Sequence, residues 1–314
     1  MPRATYPNHD EDDGIKRQTL LSGIIDSRLV VVTGKGGTGK TTVAAALARA
    51  ARERGRTAVL CEIAGSTRAT DLVEGTGVDT LAIDPQHALE EWLGRQLPRR
   101  LVHVLARSGA FAGFVGAAPG VRELVTITKA WELGEERRWR RDAVPYDTVV
   151  LDAPASGHGV GLLRTPRTFA DIARIGPIAS QARLVDAGLR DPARTALVAV
   201  ALPAELAVTE TLELEARLHD RLGRALDAIV VNGVWPRRMS VGDSDRVAAA
   251  DGALAAAPRH AVAAAAGRVR VQQSQLARLR RDATAPVLTL PFLFETGLHD
   301  EHIRALSTRL AVAA

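Results

Sequence analysis

Nine consecutive residues, Gly34-Lys35-Gly36-Gly37-Thr38-Gly39-Lys40-Thr41-Thr42, constrain this chain more than any other stretch of it. They follow Leu29 to Val32, an apolar run that reads as a buried strand. They precede Val43 to Arg54, an Ala-rich segment that reads as a helix, with Val43 and Leu47 one turn apart and Gly55 placed to end it. Strand, glycine loop, helix is the context in which a backbone can wrap around a polyphosphate. The glycines let successive N–H groups point inward at an anion. The start of the helix adds its own unpaired N–H groups and the positive end of its dipole. In that setting Lys40 reaches the β- and γ-phosphates, and Thr41 offers a hydroxyl to Mg²⁺. The spacing implies a site for a nucleoside triphosphate.

A second apolar run, Tyr146-Asp147-Thr148-Val149-Val150-Leu151-Asp152, reads as a strand that delivers a carboxylate to the sheet edge beside the magnesium. It enters Ala153-Pro154-Ala155-Ser156-Gly157-His158, which reads as a turn-rich, switch-like segment. Further strands are expected at Thr57–Glu62, Thr80–Ile83, Thr195–Leu202, Ala228–Val231 and Pro286–Leu290. Between them lie a helix from Ala204, two Ala-rich helical stretches between Asp243 and Arg281, and a closing helix over Leu298–Leu310. Strands alternating with helices predict an α/β fold with a doubly wound, mostly parallel sheet and ligand at the strands' C-terminal ends. The helical pattern from Gln86 to about Arg141 is long for a crossover. It reads as a helical subdomain inserted at about 86–141, with more helices at about 165–190. Residues 1–27 read as a disordered tail before a single ATPase domain at 28–314, because Met1–Lys16 is polar and acidic without a signal-like apolar core.

Composition excludes several classes. One cysteine, Cys61, rules out an internal disulfide framework and any multi-cysteine metal site, and its apolar neighbours make it a buried thiol. No apolar run is long enough to span a membrane, so the expectation is a cytoplasmic protein without stable membrane insertion. The formal charge of +5 is modest, and the arginines are scattered among carboxylates. The densest cluster, Arg137-Arg138-Trp139-Arg140-Arg141, reads as a solvated helix end rather than a nucleic-acid surface.

Lys35, directly after the first glycine, is not required for an ordinary phosphate loop. On spacing alone it is either a solvated lysine or a cation placed at the loop's entrance. The Lys-Gly-Gly-Thr-Gly-Lys-Thr-Thr pattern resembles the variant phosphate loop of dimeric ATPases such as the arsenite-pump and guided-entry ATPases, the Min and Par positioning ATPases and the nitrogenase iron protein. With Asp152 to His158 added, the chain is similar to the ArsA/guided-entry type, most of all to paired actinobacterial ArsA-like ATPases, over roughly residues 28 to 311.

That resemblance implies a P-loop NTPase that binds ATP and Mg²⁺. It works as a homodimer or as a heterodimer with a paralogous ATPase, and has a possible protein cargo. Gly34, Lys35, Gly36, Gly37, Thr38, Gly39, Lys40, Thr41 and Thr42 would hold the phosphates, with Lys35 acting across the dimer. Lys35, Lys40 and Asp152 would form the catalytic set. Thr41 and Asp152 would serve Mg²⁺, the latter through water. Asn232 would meet the adenine edge, with Pro291, Phe292 and Leu293 closing over the ring; read alone, Asn232 before Gly233 is equally a turn residue. His158 would link nucleotide state to the helical region, although by itself it is an ordinary turn residue.

The family's first switch carries an aspartate that orients the attacking water, and here that position falls on Ala64. Glu62 and Asp71 are the nearest carboxylates. Because phosphoryl transfer depends on positioning and electrostatics, the expectation is slow hydrolysis with binding retained. The thiolate ligands of the arsenite pumps and the zinc cysteines of guided-entry members are absent. Two rival functions stand beside the dimeric switch: a chaperone or targeting factor for membrane proteins, and a non-catalytic partner subunit of an ATPase heterodimer.

Overall fold

The computed structural model describes residues 23–63, 68–96, 120–140, 142–249, 256–295 and 297–312. Ala64 lies outside them, as does the part of the expected helical insertion at 97–119. Seven strands form one sheet: β1 (Leu29–Gly34), β2 (Ala58–Ile63), β3 (Asp79–Ile83), β4 (Thr148–Ala155), β5 (Thr195–Ala201), β6 (Ala228–Val234) and β7 (Val287–Pro291). Every pairing is parallel, in the order β3-β2-β4-β1-β5-β6-β7. The expected doubly wound α/β architecture is present.

The central strands are continuous apolar runs because both of their faces are covered. In β1, Leu29 and Val31 enter one core layer, and Val30 and Val32 enter the other. The second layer is built by helix α1 (Lys40–Glu53), the short α2 (Arg68–Val73) and the C-terminal α10 (Asp300–Val312). The α1 alanines explain how it fits there. Ala44, Ala45, Ala46 and Ala48 have no exposed surface at all, so the helix lies flush between the sheet and α10. Gly55, at φ 81°, closes α1: its N–H reaches the Arg52 carbonyl, while the Arg56 N–H reaches back to Ala51.

The opposite face carries α3 (Pro85–Gln96), α4 (Val121–Leu133), α5 (Ser156–Ala173), α6 (Pro177–Arg190), α7 (Glu205–Leu222) and the end of α9 (Ala256–Asp282). A short α8 (Val241–Ala249) packs on α9. The described parts of the expected helical insertion, α3 and α4, share one core with the sheet through Ala88, Val121, Val125, Ile127 and Trp131. The helical pattern expected up to Arg141 stops earlier, at Leu133, where Gly134 caps the helix and the chain turns back toward β4. Lys129 and Glu132 are buried in α4 but paired: Lys129 with Glu91 and Glu132, and Arg138 with Glu132. A buried ion network of this kind is tolerable only because each charge has a partner.

The chain runs from β1 outward to β2 and β3, returns to β4 beside β1, then crosses to β5 on the other side of β1. That reversal opens a crevice at the C-terminal end of β1, where doubly wound sheets bind their ligands.

Candidate functional site

The glycine loop occupies that crevice. It leaves β1 at Gly34 and enters α1 at Lys40. Gly34 and Gly39 sit at φ 140° and 89°, and both are crowded as well as left-handed. A Cβ at Gly34 would collide with the Val200 carbonyl of β5, and one at Gly39 with the Asn232 side-chain amide of β6. Only glycine satisfies both demands. The loop is also tied to itself. Thr38 Oγ1 donates to the Lys35 carbonyl at 2.9 Å, and Lys40 Nζ donates to the same carbonyl at 3.2 Å. Burial pulls the Lys40 ammonium below its ordinary pKa, against the opposing pull of Asp152.

Parallel register brings the second half of the site into place. Val32 of β1 pairs with Asp152 of β4. At the second residue of α1, Thr41 Oγ1 donates to Asp152 Oδ2 at 2.6 Å. The other carboxylate oxygen, Oδ1, is buried and has no hydrogen-bond partner. Burial raises the Asp152 pKa and nearby Glu62 raises it further, while the Thr41 hydrogen bond and Lys40 oppose the rise. Glu62, near the end of β2, is itself buried. Of the two carboxylates expected near the Ala64 position, Glu62 therefore sits against the site, whereas Asp71 is exposed on α2.

The remaining expected residues are distributed less evenly. Lys35 Nζ forms an ion pair with Glu210 Oε1 at 2.6 Å, so it is held by α7 of its own chain. Asn232 Nδ2 donates to the Thr38 carbonyl at 3.0 Å and braces the loop from the side. Pro291 ends β7, and the Phe292 N–H reaches the Val234 carbonyl at 2.9 Å, joining the two strand ends. The side chain of Phe292 faces Trp235, whereas Leu293 packs with the layer under α10. His158 does not lie in a turn: β4 runs on to Ala155 and α5 starts at Ser156, which leaves His158 exposed in the first helical turn.

Glu210 and two aromatic residues, Trp235 and Phe294, were not singled out from the sequence. Glu210 is one of four glutamates between Glu205 and Glu215, and nothing local distinguishes it from a solvated helix face. Trp235, Phe292 and Phe294 form a three-ring cluster with centroid separations of 4.9 to 5.4 Å. Phe292 belongs to the expected Pro-Phe-Leu loop, whereas the only signal of Trp235 and Phe294 in sequence was the scarcity of aromatics elsewhere. Among the described residues no group of three or more His, Cys, Asp or Glu side chains is arranged to hold a metal. Cys61 is fully buried, and burial pushes its thiol up to about 12, so it is inert.

The arrangement presents a glycine loop tied to itself through the Lys35 carbonyl, one half-buried ammonium, and a hydroxyl–carboxylate pair with an unused carboxylate oxygen. These are the parts that grip a polyphosphate and its divalent cation. Known proteins resemble this chain. The family model described as "Anion-transporting ATPase" matches residues 27–177. ATPase BagA of Mycobacterium tuberculosis is 31% identical over 246 residues, covering 73% of this chain and 70% of that protein. An arsenical pump-driving ATPase of Escherichia coli is 28% identical over 243 residues, covering 65% of this chain and 39% of the relative. ATPase GET3 of Kluyveromyces lactis is 28% identical over 194 residues, covering 50% of this chain and 54% of the relative.

Proposed function

The chain belongs to the anion-transporting, ArsA-like ATPase family, and from that premise we propose that it binds ATP with Mg²⁺ and hydrolyses it to ADP and phosphate. The nucleotide state then sets how two subunits meet and what they hold. The observation that carries this reading is Asp152: a buried carboxylate with one oxygen on Thr41 and the other unpartnered. Such an oxygen is costly unless something fills its place, and an ordered water on a magnesium ion does so. Thr41 and Asp152 fit that cation, and Gly34 to Thr42 with Lys40 fit the phosphates. The cation supplies charge neutralisation and geometric restraint on the β- and γ-phosphates. Lys40 exchanges its contact with the Lys35 carbonyl for phosphate oxygens. Asn232 holds the loop's flank, and the Phe292 side of the site receives the base.

Lys35 acts on the phosphates of a facing subunit, which is either a second copy or a paralogous ATPase. Turnover by this chain alone is slow, because Ala64 stands where the family places its water-orienting aspartate. The protein works in the cytosol; no described helix is long and apolar enough to cross a membrane. The test is size exclusion with and without ATP and Mg²⁺, with phosphate release measured on the same sample and Lys40→Ala as control. Binding without release by the wild type, and a gain in release for Ala64→Asp, support the reading. Brisk release by the wild type refutes the Ala64 argument. Unchanged behaviour of Lys40→Ala refutes the site.

A targeting or chaperone role is the second reading, favoured by apolar side chains left in solvent at the α5–α6 turn. Ile172 and Ile175 are 72% and 86% exposed, and Ile178 is 46% exposed. Patches of this kind mark interaction surfaces. Co-purification with a tail-anchored membrane protein, with and without ATP, decides it; no capture in either state removes the reading.

A further inference from the structure

A cavity of about 510 Å³ lies beyond the aromatic cluster, between the loop that follows β6 and the first half of α9. It falls within the range of sites that hold small molecules. Its floor is one face of α9, formed by Ala261, Val262, Ala265 and Val269. Trp235 and Phe294 make the wall, and Met239 lies at the edge. None of the described α9 residues before Leu276 is buried, so this part of the helix has no core of its own to serve. The floor runs for about 12 Å, given the rise of a helix over eight residues.

The rim is cationic. Arg237, Arg238 and Arg270 line the cavity, and Arg268 stacks on Trp235 at 4.4 Å. No ion pair or hydrogen bond among the described residues engages any of these four guanidiniums. Among the described residues no carboxylate lines the cavity. The closest acid in sequence, Asp243, is held by Ser240 and Arg246. Arg238 also lies over the Phe294 ring at 5.0 Å, and all four of these arginine side chains are exposed. An apolar trough rimmed by guanidiniums without an ionic partner among the described residues is complementary to one kind of molecule: a chain of methylenes ending in an anion.

We propose that this cavity binds a medium-chain acyl carboxylate, with the chain along α9 and the carboxylate at Arg237 and Arg270. The site is separate from the phosphate loop and does not depend on hydrolysis. The test is calorimetry on the purified full chain with sodium decanoate below its micelle-forming concentration, with and without saturating ATP and Mg²⁺. Saturable one-to-one binding is expected, weakening about fourfold for each methylene removed from the probe. Decanol, which lacks the charge, binds about tenfold more weakly or worse, and Arg237→Glu with Arg270→Glu has a similar effect on decanoate. Ala265→Trp fills the trough and abolishes binding; should that variant misfold, the double arginine variant decides.

Absence of heat overturns the proposal, as does equal affinity for decanol or full binding by Ala265→Trp. Displacement of decanoate by ATP overturns it too, by making the cavity part of the nucleotide site. A concentration-dependent dimer that Ala265→Trp disrupts, without decanoate binding, assigns the trough to a second copy and also overturns it.

Discussion

Replacing Asp152 by Asn separates what this residue does for the fold from what it does for the site, because the two effects have opposite signs. Without ligand, the ionised carboxylate sits beside Glu62 with one oxygen unpartnered. An asparagine oxygen still accepts from Thr41, with a neutral acceptor in place of a charged one, which forfeits about 0.5–1 kcal/mol. Its amide nitrogen takes the unpartnered place of Oδ1, so the cost of an unsatisfied polar atom stays. What the substitution removes is a charge that burial and Glu62 both disfavour, and this outweighs the loss of attraction to Lys40 because the net shift of the Asp152 pKa is upward. The Asn variant is expected to be the more stable by about 0.5–1 kcal/mol, or about 1–4 °C in Tm for a domain of this size.

The pH dependence follows from the raised pKa. In the folded state Asp152 binds its proton more tightly than the ordinary 3.8, so ionising it costs stability. The cost is absent below 3.8, develops as pH rises toward the folded value and is constant above it. The advantage of Asn is therefore present at neutral pH and vanishes in acid. With MgATP the order reverses. Loss of a residue that positions a metal costs about 10–100-fold in affinity. That removes about 1.4–2.7 kcal/mol of ligand-induced stabilisation. Differential scanning calorimetry in EDTA, and again in saturating ATP and Mg²⁺, reads both effects. A lower apo Tm for the variant, or an undiminished MgATP shift, would refute the reasoning.

Glu210→Gln frees Lys35 from a pair whose side chains are 37% and 29% exposed. Such pairs contribute about 0.2–1 kcal/mol, and a dimer opens two of them, so ATP-dependent dimerisation is expected to tighten about 2- to 30-fold by analytical ultracentrifugation. Weaker dimerisation would mean that Glu210 serves the assembled state instead. Gly39→Ala forces a left-handed alanine against Asn232, which costs about 1–3 kcal/mol and impairs ATP binding; adding Asn232→Ala is expected to restore part of both, whereas strictly additive losses would refute the crowding argument. Asp147 accepts hydrogen bonds from the Thr57 N–H at 2.8 Å and its hydroxyl at 2.9 Å, and these hold its carboxyl below 3.8. The stability it adds is complete above 3.8 and is lost as pH falls through the lower folded value. The urea midpoints of the wild type and Asp147→Asn are therefore expected to differ at pH 7 and to converge in acid; a constant gap would exclude the titration as the cause.

Much of the fold was legible because the signals were local. The unbroken apolar runs of β1, β4 and β5 announce strands covered on both faces, and the glycine loop between β1 and α1 carries its own flanking context. Boundaries were less legible. β4 runs three residues past Asp152 because its pairing with β1 resumes at Ala155 after a bulge, which no periodicity reveals. The helical content assigned near Arg141 was overextended for a different reason. The charged run from Glu135 to Arg141 resembles an exposed helix face, yet its charges are spent on tertiary partners: Arg138 on Glu132 and Glu135 on Arg194. Those pairings decide the local conformation, and they depend on residues that are distant in sequence.

The same distinction orders the site. The residues proposed to hold the phosphates lie on one continuous segment, since a cradle of main-chain amides has to be built from consecutive residues. Residues that set its affinity and state lie far away: Asp152 is 111 positions from Thr41, Glu210 is 175 from Lys35, and Asn232 is 194 from Thr38. Each arrives by the same route, the C-terminal end of a neighbouring strand or the helix that follows it, because a parallel sheet collects those ends on one edge. The loop is therefore read by three elements at once. β4 supplies the carboxylate under Thr41, β6 supplies the brace against Gly39, and α7 supplies the counter-ion for Lys35. A ligand that draws Lys40 or Lys35 away from the contacts described above has to break a bond to one of these elements or to the loop itself. In the proposed cycle hydrolysis returns the bond. That exchange would give the fold a physical means to convert phosphate chemistry into movement between helices.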